Sequence, residues 1–175
     1  MDDDDVGRKL AELRGAFDAA FAAPPPDAEV AVEKFLVTRS GGVAYAIRLG
    51  EIGGVAVDRR ATPVPGPLPE LLGLTAVRGK LVPVYSLSAL LGTAAAAALP
   101  RWLILGEREE LAFAVDAMDG YVFGHRVDVL PSSNRSGHCP ETLRLENSSM
   151  GILSVSSLMK RIANRVASTR PLQEH

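Results

Sequence analysis

From Phe35 onward the apolar residues recur with a period of two, in short runs broken by glycine or proline before any of them reaches helical length. Val43, Tyr45, Ile47 and Leu49 alternate with Ala44, Ala46 and Arg48, and Gly41-Gly42 separates this run from Phe35, Leu36 and Val37. That pattern predicts a β-hairpin. Further short strands are expected over Ile52 to Val57, Leu74 to Val77, Leu81 to Tyr85, Trp102 to Leu105, Leu111 to Val115, Tyr121 to Val129, Thr142 to Leu145 and Ile152 to Val155. About ten short strands imply a mainly β barrel or sandwich. Pro63, Pro65, Pro67 and Pro69 stand at every second position, which excludes helix and central strand and leaves an extended connection. The alanine run Ala94 to Ala98 divides the strand region into halves of about five strands each, and is read as a bridge between two small barrels.

Helical periodicity is confined to the flanks and to one short insertion. Val6, Leu10, Leu13, Phe17 and Phe21 lie on one face of a helix expected from about Asp5 to Ala22, which Pro24, Pro25 and Pro26 end. Its apolar stripe docks either on the chain's own barrel or on a partner. Ser86 to Leu91 can form one or two turns, capped by a serine and stopped by Gly92. Ser156 or Ser157 is expected to cap a final helix carrying Leu158, Ile162 and Val166. The organisation that follows is an acidic tail, amphipathic helix and Pro-rich linker over 1–31, a β domain over 32–168 with subdomains divided near 93–100, and a tail over 169–175.

Composition removes several classes of function. The chain has 175 residues, 47% of them hydrophobic and 23% charged, so it can bury a core and is not disordered throughout. Its 19 Lys and Arg are scattered and are balanced by 21 Asp and Glu, a poor surface for nucleic acid. A single cysteine, Cys139, excludes an internal disulfide and a cysteine zinc cluster. With no charged-then-apolar leader at its start, a cytoplasmic location is expected. The longest apolar stretch, about Thr93 to Pro100, falls far short of the roughly 20 residues that cross a bilayer, so no membrane insertion is expected.

Catalytic and ligand-binding patterns are equally sparse. Gly73, Gly79 and Lys80 have the wrong glycine spacing for a phosphate loop, and Leu81 stands where a magnesium-binding Ser or Thr belongs. His125, His138 and His175 show no metal-ligand spacing. His138 and Cys139 are adjacent, so their side chains diverge, and nothing supplies an orienting group. Glu109 and Glu110 are expected in a solvated hairpin turn. No catalytic residue, metal or cofactor is assigned, and the chain is read as a non-enzyme.

The informative stretch runs from Gly73 to Leu87. Arg78-Gly79 puts a guanidinium at a tight turn between two apolar strands, the second carrying Val82-Pro83-Val84 before a short helix. An arginine that merely covers a barrel rim with its aliphatic stem is the competing reading. In this order of Gly73, Arg78-Gly79, Val82-Pro83-Val84 and Leu87 to Leu91, the sequence resembles the CheW family. The hairpin through Tyr45 and Ile47, Phe113 to Asp116, and Gly151 to Val155 before a helix extend the likeness to about Phe35 to Ile162.

The resemblance implies two small five-stranded β-barrel subdomains around a shared core and no catalysis, to which the periodicity adds the N-terminal and C-terminal helices. It implies a chemotaxis adapter that binds the regulatory domain of a CheA-type histidine kinase and the cytoplasmic tip of chemoreceptors. It also implies that Ile52, Gly73, Arg78, Gly79, Val82 and Val84 meet partners. Three positions depart from the family pattern: Gly54 where an acidic partner of the arginine is usual, Ser86 where Asp is common, and Val77 in place of Asn. A divergent adapter serving one partner, and a barrel that senses a small ligand, are the alternatives.

Overall fold

The computed structural model describes residues 32–66, 68–94, 100–108, 110–132 and 137–169. The chain divides into two units, Met1–Ala31 and Val32–His175, and the helix expected over 5–22 lies outside the described residues. The second unit contains β1 (Val32–Ser40), β2 (Val43–Arg48), β3 (Ile52–Val57), β4 (Leu71–Val77), β5 (Lys80–Ser86), β6 (Trp102–Gly106), β7 (Ala112–Val115), β8 (Ala117–His125), β9 (Val129–Pro131), β10 (Glu141–Leu145) and β11 (Ser148–Leu153). Among the described residues two helices accompany them, α1 (Leu87–Leu91) and α2 (Val155–Thr169).

The strands form two sheets, ordered β8-β1-β2-β11-β10-β9 and β3-β6-β7-β5-β4. The first thus has six strands rather than five. Tyr121 to Val129 does not run as one strand, because Arg126–Asp128 makes a 3-10 turn closed by the His125 N–H donating to Asp128 Oδ2 at 3.1 Å. The residues after it form β9, the sixth strand. The expected division at 93–100 falls inside the second sheet, where that segment joins α1 to β6. The chain instead leaves the first sheet at the 3-10 turn Leu49–Glu51 and returns to it between β7 and β8. Two parallel pairs, β2 with β11 and β5 with β7, complete the sheets.

Each sheet buries an apolar cluster of its own, and a third cluster forms from residues of both sheets. Phe35, Ala46, Leu143 and Ile152 fill the first sheet, and Val77, Val82, Val84, Leu103, Leu105, Ala112 and Ala114 the second. Between them lies the largest cluster, where Leu36 and Ile47 meet Ile104, Phe113 and Val115 together with Leu87, Leu90, Leu158 and Ile162 of the two helices. Polar contacts also tie the strands of the first sheet. Arg48 on β2 holds Glu33 at 2.8 Å and Glu141 at 2.8 Å, tying β1, β2 and β10 together.

The helix ends follow local chemistry. Ser86 Oγ accepts the Ala89 N–H at 3.2 Å and Gly92 adopts a left-handed φ of 71°, so α1 starts and stops as its sequence predicts. For α2 the cap is Ser154 rather than Ser156 or Ser157. Its Oγ accepts the Ser157 N–H at 3.3 Å, and Glu51 Oε2, from the turn between the sheets, accepts the Val155 N–H at 2.9 Å. No helix among the described residues is long and apolar enough to cross a membrane.

Candidate functional site

Val77 faces Lys80 across the β4–β5 hairpin, so Arg78 and Gly79 are the whole turn. Their φ angles are 47° and 80°, the pair of positive values that lets a two-residue turn match the right-handed twist of its strands. Glycine adopts this freely, whereas a residue with a Cβ meets a cost of roughly 1–2 kcal/mol. Arg78 is therefore held at the tip against its local preference, with its side chain exposed. A Cβ added to Gly54 would lie 3.7 Å from Arg78 Nη2. Because β3 and β4 are the opposite edges of one sheet, the guanidinium reaches from the turn after β4 to the other edge. The position where an acid was expected does face the arginine, but Gly54 has a φ of 152° at a register shift in β3, a backbone that suits glycine.

The six residues singled out in the sequence separate into two groups. Arg78 and Gly79 are exposed, and half-buried Ile52 lies two residues from Gly54 in the same irregular stretch of β3. Val82 and Val84 are each 1% exposed and belong to the inner cluster of the second sheet, so they present no surface to a partner. Gly73 is also buried, with a φ of 142°, and a Cβ there would stand 2.1 Å from the Thr62 carbonyl oxygen. These three hold the hairpin in place. The outward residue next to Val82 is Leu81, 74% exposed, and on the opposite edge Val55 and Val57 also face solvent. Strand alternation carries the signal, since Leu81 is out of phase with Val82 and Val84, just as Val55 and Val57 are with inward Ala56.

A second exposed apolar surface lies on β8, an edge strand of the first sheet. Tyr121 and Phe123 are 66% and 54% exposed, their rings meet edge to face at 5.9 Å, and Lys34 Nζ stands 5.6 Å from the Phe123 ring centre. Val122 between them points inward toward Phe35. The sequence contains the same clue, because three consecutive large apolar residues on a strand cannot all face the core.

Two titratable groups outside these surfaces are shifted by their surroundings. Cys139 is buried, and burial pushes its thiol up, away from the reactive thiolate. His138 turns its Nε2 to accept from the Arg161 guanidinium. Burial and that neighbouring charge both lower its pKa. Among the described residues no three His, Cys, Asp or Glu side chains converge as metal ligands.

The model of the CheW-like domain matches residues 34–163 of this chain. The crystal structure of scaffolding protein TtCheW from Thermoanaerobacter tengcongensis is similar to it, with a TM-score of 0.65 and 16% identity over 72% of this chain and 91% of that one. At this identity the likeness is one of fold. No curated protein sequence matches the chain.

Proposed function

The chain belongs to the family of CheW-like domains, and from that membership we propose that it is a non-catalytic adapter coupling chemoreceptors to a CheA-type histidine kinase in bacterial chemosensory signalling. The partners are the kinase regulatory domain and the cytoplasmic tip of the receptors, met on the cytoplasmic side of the membrane. One observation carries this reading: an arginine held at a left-handed position, exposed at a hairpin tip and reaching Gly54 on the opposite edge strand. An orientation maintained against backbone preference suits recognition better than rim coverage does. Half-buried Ile52 and the outward Leu81, Val55 and Val57 supply apolar surface on the same sheet, while Tyr121 and Phe123 offer a separate surface on the other. Two surfaces on one rigid core are what an adapter needs.

A second reading, a specialised member that serves one of the two partners, rests on the departures from the family pattern. Ser86 is the less consequential change, since serine and aspartate cap a helix about equally well and Ser86 caps α1. Gly54 is the larger one, because it places backbone rather than a carboxylate opposite Arg78. The test is binding of wild type and Arg78→Glu to the kinase regulatory domain and to the receptor tip. A carboxylate in place of the guanidinium should weaken at least one complex by about 2–5 kcal/mol. Stability should change by no more than about 0.5 kcal/mol. Unchanged affinity for both partners refutes the assignment of Arg78.

A further inference from the structure

The segment that follows β3 folds back over one end of the second sheet and leaves a cavity of about 220 Å³ behind it. Leu72, Val84, Leu103 and Ala114 line its interior, and the exposed residues Arg59 and Arg60 stand at its mouth. The covering segment is tied at three points. The Asp58 N–H donates to the Arg101 carbonyl at 2.8 Å, Thr75 Oγ1 donates to the Arg60 carbonyl at 3.1 Å, and Thr62 exchanges backbone bonds with Leu74 at 2.7 and 2.9 Å. Close approach of Thr62 to Gly73 leaves it no room to sink inward. The cavity is thus pre-formed, as ligand sites usually are.

Charge selects what can enter. Asp58, next to Arg59 in the chain, is already engaged by Arg101 through two contacts of 2.7 and 3.0 Å. Among the described residues neither Arg59 nor Arg60 joins an ion pair. An apolar recess below two guanidinium groups complements a molecule with a compact hydrocarbon body and one anionic end, and it repels a cation. A dry apolar cavity of about 150 Å³ is large enough for benzene. The present one has room for a phenyl ring with a short linker.

We propose that this cavity binds a small organic carboxylic acid, its apolar body against Leu72, Leu103 and Ala114 and its carboxylate between Arg59 and Arg60. The site is independent of the adapter reading, since it uses neither Arg78 nor the β8 aromatics. The test titrates the full chain, followed by amide nuclear magnetic resonance, with 3-phenylpropanoate and with its neutral amide. Saturable shifts confined to Ala61, Leu72, Leu103 and Ala114 and their neighbours are expected, with the carboxylate binding about tenfold more tightly than the amide or better. The double variant Arg59→Gln, Arg60→Gln should erase that preference and leave amide binding unchanged. Ala61→Leu, which narrows the entrance, should weaken both probes. The proposal is overturned if these residues show no saturable response, if wild type binds acid and amide equally, or if the double variant keeps the preference.

Discussion

Replacing Gly73 by alanine separates a structural role from an interface role at a position where the sequence suggests the latter. The added Cβ would stand 2.1 Å from the Thr62 oxygen, 2.5 Å from the Thr62 carbonyl carbon and 2.9 Å from Pro63 Cα. All three are backbone atoms, so no side chain can rotate away. Relief requires lifting the covering segment, which breaks both backbone bonds between Thr62 and Leu74, at about 1 kcal/mol each. Alanine must also accept a φ of 142°, at a cost of roughly 1–3 kcal/mol. The expected loss is about 3–5 kcal/mol, a large part of the roughly 5–15 kcal/mol available to a domain. Urea denaturation followed by circular dichroism measures it. The midpoint should fall while the slope stays constant, because the surface exposed on unfolding is unchanged. A loss below about 0.5 kcal/mol would refute the reasoning. If stability were preserved while partner binding disappeared, Gly73 would return to the interface.

Substitutions at three further positions probe the same framework. Gly54→Glu puts a carboxylate beside Arg78, yet an exposed ion pair returns only about 0.2–1 kcal/mol against a backbone cost of roughly 1–3 kcal/mol. Both Gly54→Glu and Gly54→Ala should therefore lower the urea midpoint, and a stabilised Gly54→Glu would show that charge outweighs strain. Glu51→Ala removes the acceptor of the Val155 N–H and should cost about 1 kcal/mol, read as a lower melting temperature with reduced protection of the first turn of α2 in hydrogen exchange. His138 is held below its ordinary value of 6.5 by burial and by Arg161, so the unfolded chain binds its proton more readily than the folded one. Its contribution is fully present above pH 6.5 and is lost as pH falls toward the folded value. His138→Gln should flatten that part of the stability profile, and an identical profile in the variant would remove His138 as its source.

Much of the local structure is legible in the sequence because it depends on neighbouring residues. Alternation marks the strands, and Ser86 with Gly92 marks both ends of α1. Arg78-Gly79 between two apolar runs marks the hairpin tip whose family resemblance pointed to a CheW-like fold. The partner of each strand is not a local property. Tyr45 pairs in parallel with Gly151, and Val84 with Ala112, because only the assembled cores make those neighbours favourable. That is why the alanine-rich stretch, so visible a boundary along the chain, joins two parts of one sheet instead of separating two. Burial is decided in the same way. Val82 and Val84 are apolar and near the turn, as an interface residue would be, but the curvature of the second sheet turns them inward and leaves Leu81 outside. Gly54 and Gly73 show the division most directly: the sequence specifies two residues without side chains, while the fold brings one against Arg78 and the other against the backbone of Thr62. Both contacts join segments that the chain's local preferences do not relate, so only tertiary packing could determine them.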